Sequence, residues 1–457
     1  MSNAISYTAS DAVSPSTAIP KAKFFDTLSI LFGVFLPTIA KGVIVRRPTA
    51  LALADRLNLD TLAVRIMQRL RSQYGSGPVL LHIPGRTFAV IIDPGDVHRI
   101  LAESPIPFAT ATPEKTAALA HFEPKVALIS SGAERADRRR YNEEVLEPDR
   151  AIHCLANHFA EVVASEATQL RRNMQHRNGT LNWSNFSEAW FSVVRRVIFG
   201  DAARTDTELS SMMAKLRFAA NWAFLRPQRQ HLREQLLSRI KRYLENAYPN
   251  SLSEMMAPIP TTAETFPEQQ VTQWLFAFDA AGMATFRSLA LLATHPEQAS
   301  IARQEIGSSE LRLMPYMRAT VLESLRLWPT TPLVLRESTA TTTWRNGSMP
   351  SNTGLVIFAP FFHRDNERLP FADRFYPELW IKEEVETATR ALIPFSEGAA
   401  MCPGRQLVLF LTSRMLAELL RTPIHLQNPG RLSPAKPLPG TLNHFRLRFK
   451  TLAVPVG

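Results

Sequence analysis

The sequence predicts a mainly α-helical protein with small β-sheets, folded as a single large domain. Hydrophobic residues recur with helical spacing over most of the chain from Arg135 to about Met256, then over Pro267 to Thr294 and Glu310 to Leu327. Short apolar runs bounded by turn residues lie early and late in the chain. No Gly/Ser-rich linker or internal repeat interrupts the 457 residues, of which 45% are hydrophobic and 20% charged, as in an ordinary globular protein.

The N-terminal part of the chain divides into two pieces ahead of a catalytic domain expected over residues 46–457. Residues 1–23 are rich in Ser, Ala and Thr and predict a disordered tail. Residues 24–45 are apolar, but Asp26 and Lys41 leave only fourteen uncharged residues between them, whereas a membrane-spanning helix needs about 20. We expect this segment to pack on the protein's own core, and a helix lying on a membrane surface is the alternative.

The first β element is a hairpin, predicted from the apolar runs Val79 to Ile83 and Thr87 to Ile92 on either side of Pro84-Gly85. A helix over Asp60 to Tyr74 precedes it. Turn residues predict helix breaks at Pro148, Asn178-Gly179, Gly200 and Pro227. Later strands are predicted at Leu333 to Leu335, Leu355 to Phe358 and Phe445 to Phe449, with a tight turn at Asn346-Gly347.

Composition and short motifs exclude several common functions. The two cysteines, Cys154 and Cys402, cannot form a disulfide scaffold and fit a reducing, cytoplasmic setting, and there is no secretory signal pattern. Walker-type, dinucleotide-binding, His-Glu-x-x-His and Gly-x-Ser-x-Gly patterns are absent. The excess of 52 Lys and Arg over 41 Asp and Glu is spread along helices that also carry acids. This distribution argues against nucleic-acid binding and is compatible with an acidic protein partner.

One short segment near the C-terminus carries the strongest chemical signal. Phe395, Gly398, Cys402 and Gly404 form the pattern Phe-x-x-Gly-x-x-x-Cys-x-Gly, directly before a helical run from Arg405. Backbone N–H groups and the positive end of the helix dipole favour a thiolate at such a place, and a thiolate can ligate iron. A lone cysteine can also be a small buried hydrophobic residue, so the flanking residues decide between the two interpretations.

This pattern closely resembles the haem-binding loop of the cytochrome P-450 family, in which the cysteine is the axial iron ligand. Four further blocks resemble the family in the right order: Ala280 to Thr285 in the long distal helix, the Glu-x-x-Arg pair Glu323 and Arg326, the strand Thr331 to Glu337, and a meander around His363 to Glu378. The resemblance implies the cytochrome P-450 fold and a haem b held by Cys402.

The resemblance also assigns roles to the distal helix. Ala281 and Gly282 are small residues that let a flat cofactor approach the helix backbone, and the hydroxyl of Thr285 can relay protons. Ala284 departs from the family, which usually has a carboxylate there. Asp279 can contribute protons instead, or it can face solvent or a neighbouring helix.

A second departure concerns the haem propionates. Ala400 stands where the family usually has Arg or His, so other cations must supply the charge. Arg135, Arg139 and Arg336 are the candidates, and we expect at least two of the three to be used. The alternative for each is a solvated basic surface. Leu379 stands where the meander often supplies an Arg to Glu323 and Arg326, which leaves Arg374 as a substitute.

By resemblance the protein is a monomeric monooxygenase that inserts one oxygen atom from O2 into a small apolar substrate. The resemblance places the walls of the substrate cavity at residues 102–129, 217–225, 277–286 and 331–334. Electrons would come from a separate ferredoxin or flavoprotein, attracted by Arg138 to Arg140 and Arg405. Two alternatives stay open: other haem-thiolate chemistry (isomerase, dehydratase or peroxygenase), motivated by Ala284, and a non-enzymatic, membrane-associated haem protein.

Overall fold

The computed structural model describes residues 18–175, 179–306, 313–381 and 389–451. Most of these residues are helical, which confirms the predicted fold class. The helices are α1 Phe24–Ile30, α2 Leu36–Ala40, α3 Pro48–Leu57, α4 Leu59–Tyr74, α5 Pro94–Ala102, α6 Pro113–Leu119, α7 Gly132–Leu146, α8 Ala156–Gln175, α9 Trp183–Phe199, α10 Thr207–Ala220, α11 Gln230–Asn246, α12 Leu252–Met256, α13 Pro267–Thr294, α14 Pro296–Ile306, α15 Pro315–Leu327, α16 Ala359–His363 and α17 Arg405–Leu420.

The strands form three small sheets. They are β1 Val79–Ile83, β2 Arg86–Val90, β3 Phe108–Ala109, β4 Thr180–Asn182, β5 Leu333–Ser338, β6 Thr342–Trp344, β7 Gly347–Met349, β8 Gly354–Phe358, β9 Ile424–Leu426 and β10 Arg448–Thr451. The largest sheet has the order β1-β2-β8-β5-β3, in which β2 and β8 run parallel and the other pairs antiparallel. The second sheet has the order β4-β10-β9, and β6 pairs with β7 around the predicted Asn346-Gly347 turn.

Two hydrophobic clusters organise the molecule. The larger consists of side chains from the long helices, with α13 at its centre, and the smaller covers the five-stranded sheet with α1 and α4. Helix α13 is long and apolar enough to cross a membrane, but 78% of its most apolar window is buried inside the protein, as expected for a core helix. Both the predicted start at Pro267 and the predicted end at Thr294 are confirmed.

Two predictions are corrected by local hydrogen bonding. Residues 1–17 of the predicted tail lie outside the described residues, but residues 18–23 pair with the sheets: the Ala22 N–H donates to the Leu80 carbonyl at 2.8 Å, and Ile19 is buried. At the other end, the strand predicted from Phe445 begins at Arg448. The Asn443 side chain accepts from the Phe445 N–H and closes a helical turn there instead.

A buried ion pair ties helix α15 to the segment that leads to Cys402. The guanidinium of Arg326 binds the carboxylate of Glu323 with two bonds of 2.6 and 2.7 Å, and both side chains are fully buried. Arg326 also donates to the carbonyls of His363, Ala372 and Arg374 at 2.8–2.9 Å. The pair therefore fixes the path of the chain after α16.

The second half of this network differs from the prediction. Glu323 accepts from the Tyr376 N–H at 2.8 Å and from the indole of Trp380 at 3.0 Å. Arg374, the predicted substitute for the missing arginine, contributes only its main-chain carbonyl, and its side chain is exposed. A neutral indole can replace the missing cation because the Arg326 guanidinium already balances the carboxylate charge.

Replacing Arg326 with alanine should destabilise the fold, because Glu323 would be left as an uncompensated buried charge. We expect Arg326→Ala to lower the free energy of unfolding by about 3–5 kcal/mol in urea titrations. The exposed Arg374→Ala variant is the matched control and should change it by less than about 0.5 kcal/mol. Equal stability of the two variants would contradict this assignment.

Candidate functional site

The loop before helix α17 folds around two residues with positive φ. Ser396 and Gly398 have φ of 63° and 65°. Two backbone bonds of 2.9 Å then close the loop, from the Cys402 N–H to the Phe395 carbonyl and from the Met401 N–H to the Gly398 carbonyl. The thiol of Cys402 is thus held at a defined place just before the first turn of α17, as the sequence predicts.

The thiol of Cys402 is surrounded by protein yet keeps some accessible surface. Burial raises its pKa, while a hydrogen bond from the Gly404 backbone and the positive charges of Arg139 and Arg405 lower it. A side chain that is desolvated and still accessible borders an internal space. A metal ion bound there would remove the thiol proton outright, since a coordinating thiol is deprotonated.

Of the two loop glycines, one is required by geometry. A Cβ on Gly398 would overlap the main-chain carbonyl of Leu101, and its left-handed φ already disfavours other residues. Gly404 has an ordinary φ of −87°, and a Cβ there would find only Leu146 at 3.9 Å. Phe395 packs partly buried against the helical core. A cofactor-binding role for Phe395, Gly398 and Gly404 stays a prediction.

The three arginines predicted for the propionates all reach the Cys402 loop. Arg135 donates to the Ala399 carbonyl at 3.0 Å, and Arg139 donates to the Met401 carbonyl at 2.6 Å while pairing with Glu143. Arg336 is buried and lies 3.4 Å from the Ser396 hydroxyl. Burial and the charge of Arg135 lower the pKa of Arg336 to about 10. These cations therefore crowd one another beside the loop.

Sequence reasoning missed a fourth cation, Lys115. Its ammonium group is deeply buried and donates to the carbonyls of Thr110 and Leu335 at 2.7 and 2.8 Å. Burial lowers the pKa of Lys115 well below its ordinary value, and the neighbouring charge of Arg336 lowers it further. A lysine beside Thr112, the N-cap of helix α6, looks like a surface residue in the sequence. Only the packing of α6 against β5 reveals its position.

These residues fit a haem. Within the part of the chain that the structure describes, neither Arg336 nor Lys115 has a carboxylate in an ion pair. Buried cations without anions are costly, and two propionates would supply the two missing negative charges next to a thiol that can hold iron. The donor set therefore suits an iron porphyrin with an axial thiolate.

The distal helix carries the predicted threonine in a buried position. The hydroxyl of Thr285 donates to the Ala281 carbonyl at 2.8 Å, and both residues are buried. Gly282 lies against another helix, and its role beside the cofactor stays a prediction. A Cβ at this position would lie 2.7 Å from the ring of Trp190, so the glycine allows helices α9 and α13 to pack closely.

No unpaired carboxylate is available beside Thr285 from the two positions considered for proton transfer, 279 and 284. Asp279 forms an ion pair with Arg217 of helix α10. Ala284, which replaces the usual carboxylate, is buried, and its carbonyl accepts from the Ser324 hydroxyl of α15 at 3.1 Å. The Thr285 hydroxyl is therefore the candidate proton relay in this part of α13.

The predicted basic docking surface is smaller than expected. Arg138 is fully buried and donates to the Glu264 carbonyl at 2.7 Å. Arg140 is about one-third exposed but pairs with Asp137 and Glu144. Arg138 is thus a structural residue, because its side chain points toward Glu264 and Phe266 in the segment before α13 rather than outward.

Comparisons with known proteins agree with this geometry. Residues 250–422 match the family model described as cytochrome P450. Cytochrome P450 98A8 of Arabidopsis thaliana is 30% identical over 32% of this chain and 30% of its own length. Cyclooctat-9-en-7-ol 5-monooxygenase of Streptomyces melanosporofaciens is 28% identical over 36% of this chain and 39% of its own length. The aligned part of the chain thus spans about a third of the length of these relatives.

The fold matches a solved structure over most of the chain. Retinoic acid bound cyanobacterial CYP120A1 superposes with a TM-score of 0.66 and 17% identity, covering 85% of this chain and 94% of that one. The match extends well beyond the region aligned by sequence.

Replacing Lys115 with methionine should have opposite effects on the protein without and with haem. Without haem, Lys115→Met removes a buried charge and should raise the unfolding temperature. The parent's stability should also rise with pH up to about 10.4, because its unfolded state binds the Lys115 proton more tightly. With haem, transfer to apomyoglobin should be roughly 10-fold faster in the variant. The exposed Lys215→Met variant is the control, and unchanged haem retention in Lys115→Met would contradict the assignment.

Proposed function

The chain belongs to the cytochrome P450 superfamily, and from this premise we propose that it is a haem-thiolate monooxygenase. It would insert one oxygen atom from O2 into a mainly apolar organic substrate, using electrons from a separate ferredoxin or flavoprotein. The observation that carries the proposal is the Cys402 loop, which Arg135, Arg139 and Arg336 all contact. A thiol alone supports many roles, but a thiol beside clustered cations suits haem.

Different residues of the chain would bind different parts of the haem. Cys402 would hold the iron, and Arg336, Arg135, Arg139 and Lys115 would hold the propionates. When bound, a haem with an axial thiolate supplies oxidation chemistry, because the thiolate favours O–O cleavage. The protein adds orientation, exclusion of water and proton transfer.

Thr285 is the residue that we assign to proton transfer. Its hydroxyl already donates to the Ala281 carbonyl, which leaves the oxygen lone pairs free to accept from a water molecule. Since Asp279 is paired with Arg217, protons must reach Thr285 through water rather than through that carboxylate. Ala281 is a small residue, so its side chain would take little of the space that a bound haem and this water need.

A second candidate is haem-thiolate chemistry without an electron donor, such as isomerisation, dehydration or peroxide-driven oxidation. Ala284 motivates it, because this chain lacks the usual carboxylate before the threonine. Strict dependence of product on both O2 and an electron donor would exclude this candidate. Salt should weaken the association with an acidic donor, since exposed charges attract each other less when screened.

We also propose that the protein is cytoplasmic and contacts membranes with its N-terminal helical segment. Residues of Phe24–Ala40 bury one face, including Ile30 and Val34, against the protein. The other face exposes Phe24, Phe25, Phe32, Leu36 and Ile39, with exposed fractions of 46–78%. Exposed Lys21, Lys23, Arg65 and Arg69 are close in sequence to this segment or on helix α4, which packs against it. An apolar face bordered by cations suits an anionic lipid surface.

The experiment that tests the haem-thiolate function is the absorption spectrum of the reduced, carbon-monoxide-bound protein. We expect a thiolate-type Soret band in the parent and its loss in Cys402→Ser. Cys154→Ser is the matched control and should keep the band, because Cys154 lies on the surface away from the loop. A parent without the thiolate-type band would overturn the proposal.

Membrane contact predicts that two exposed aromatic residues contribute binding energy. The double variant Phe24→Ser/Phe25→Ser should bind phosphatidylserine-containing vesicles at least about 10-fold more weakly in co-sedimentation. Ile301→Ser, which changes an exposed isoleucine on α14, is the control and should bind like the parent. Equal binding of the double variant and the parent would argue against this surface.

A further inference from the structure

A carboxyl group with no apparent partner lies inside the protein. Glu123, in the loop after helix α6, is fully buried, and neither of its carboxylate oxygens has a hydrogen-bond partner among the described residues. Buried polar atoms are nearly always hydrogen-bonded, because leaving one unsatisfied costs about 1–3 kcal/mol. Two unsatisfied oxygens on one carboxyl group therefore indicate that something other than the described protein atoms completes the site.

Two other side chains, those of Arg217 and His121, also have a buried polar atom without a hydrogen-bond partner. Arg217 is buried, and its Nε–H finds no acceptor in the described part of the chain, although its Nη2 donates to both Asp279 and the Ile44 carbonyl. His121 is buried, and its Nδ1 has no partner there either. Since its Nε2 lies 3.1 Å from the Ala223 carbonyl, Nε2 must carry the proton and Nδ1 is an acceptor.

Packing brings these three residues to one region of the molecule. Phe122, which lies between His121 and Glu123, packs edge-on against Phe276 of helix α13 with ring centres 5.5 Å apart. The guanidinium of Arg217 lies over the same Phe276 ring at 5.2 Å. Arg217 is also the charged group that acts on Glu123. Glu123 and Arg217 thus lie near Phe276 in the N-terminal half of α13, and His121 contacts Ala223 in the turn after α10.

This region lies beside the proposed reaction site. Asp279, the partner of Arg217, precedes Thr285 by six residues on α13, a rise of about 9 Å. The two segments that carry the cluster, residues 102–129 and 217–225, are those that the sequence resemblance placed in the cavity walls. The cluster is therefore within reach of a small organic molecule positioned near Thr285.

The charges of the cluster select an uncharged group. Burial raises the pKa of Glu123 well above its ordinary value, and the charge of Arg217 only partly opposes this. Glu123 is then a neutral acid that can both donate and accept. Asp279 balances the charge of Arg217, so neither a cationic nor an anionic ligand gains much from the cluster. A hydroxyl or carbonyl oxygen can accept from Arg217 Nε or Glu123, and a hydroxyl can also donate to His121.

On the basis of the monooxygenase function above, we propose that Glu123, Arg217 and His121 form the polar end of the substrate site. The substrate class that they fit is an uncharged, mostly apolar molecule that carries a hydroxyl or carbonyl oxygen about 9 Å or more from the oxidised carbon. Glu123 is the specificity-determining residue. The small apolar substrate expected from the resemblance would thus carry one polar group.

The test measures ligand binding through the spin-state shift of the haem in the absorption spectrum. The probes are matched pairs with and without one oxygen, long enough to extend from the haem side to the cluster: dodecane and 1-dodecanol, and dodecane and 2-dodecanone. In the parent, the alcohol and the ketone should bind at least about 10-fold more tightly than the hydrocarbon. Glu123→Leu should lose this preference while keeping its affinity for the hydrocarbon, and Glu123→Gln should retain part of it.

Stability gives an independent readout. Without ligand, Glu123→Leu should unfold at a higher temperature than the parent, because it removes an unsatisfied buried carboxyl group. The exposed Glu245→Leu variant is the control for both measurements. A carbon-monoxide spectrum of each variant shows whether the thiolate site is intact, so failure of the haem-thiolate function is distinguished from failure of the polar subsite.

The outcomes divide clearly. A thiolate-type spectrum with no oxygen preference in the parent, or with the same preference in Glu123→Leu, would overturn the polar subsite and leave the monooxygenase proposal standing. In that case, the carboxyl group binds buried water only. Loss of preference in Glu123→Leu with an unchanged spectrum supports the assignment.

Discussion

The buried pair of Glu323 and Arg326 is the interaction on which the haem-side architecture depends. Every donor that Arg326 has left after binding Glu323 is directed at a main-chain carbonyl between His363 and Arg374. A guanidinium can do this because its five N–H groups lie in one plane with fixed directions. Two residues three positions apart in α15 thus fix the position of a distant segment, the one that leads to Cys402. Its value lies in position rather than in net stability, because buried ion pairs pay for their desolvation.

The Cys402 loop has the opposite electrostatic character. Here charges of one sign gather, and burial lowers the pKa values of Arg135, Arg336 and Lys115. Neighbouring charges lower them further: Arg139 acts on Arg135, Arg135 on Arg336, and Arg336 on Lys115. Such an arrangement destabilises the protein by itself and becomes favourable only with an anionic ligand. Arg139, together with Arg405 and the Gly404 N–H, favours the charged form of the Cys402 thiol. Binding the propionates and holding the iron thus draw on one positive field.

The sequence predicted those features whose cause is local. The bounds of α13, the hairpin β1–β2, the Cys402 loop and the Glu323–Arg326 pair follow from spacing and turn residues within a short stretch of chain. The sequence did not predict contacts between residues that are far apart along the chain. Gly282 contacts Trp190 of another helix, and Trp380 replaces an arginine from one position further along. The positions of Lys115 and Glu123 are also set by tertiary contacts: the Lys115 ammonium group reaches the carbonyls of Thr110 and Leu335, and Glu123 is fully buried.

Lys115 and Glu123 also belong to one structural unit, which bears on how the two ligands interact. Lys115 lies in the first turn of the short helix α6, and Glu123 lies eight positions further along, in the loop that follows the helix. The two groups do not pair with each other, because Lys115 donates to β5 while Glu123 faces Arg217 of α10. A propionate at Lys115 and a polar substrate group at Glu123 would each supply a missing partner and so stabilise the ordered form of this segment. Ordering by one ligand lowers the ordering cost for the other, so the two binding events would favour each other without any change of fold.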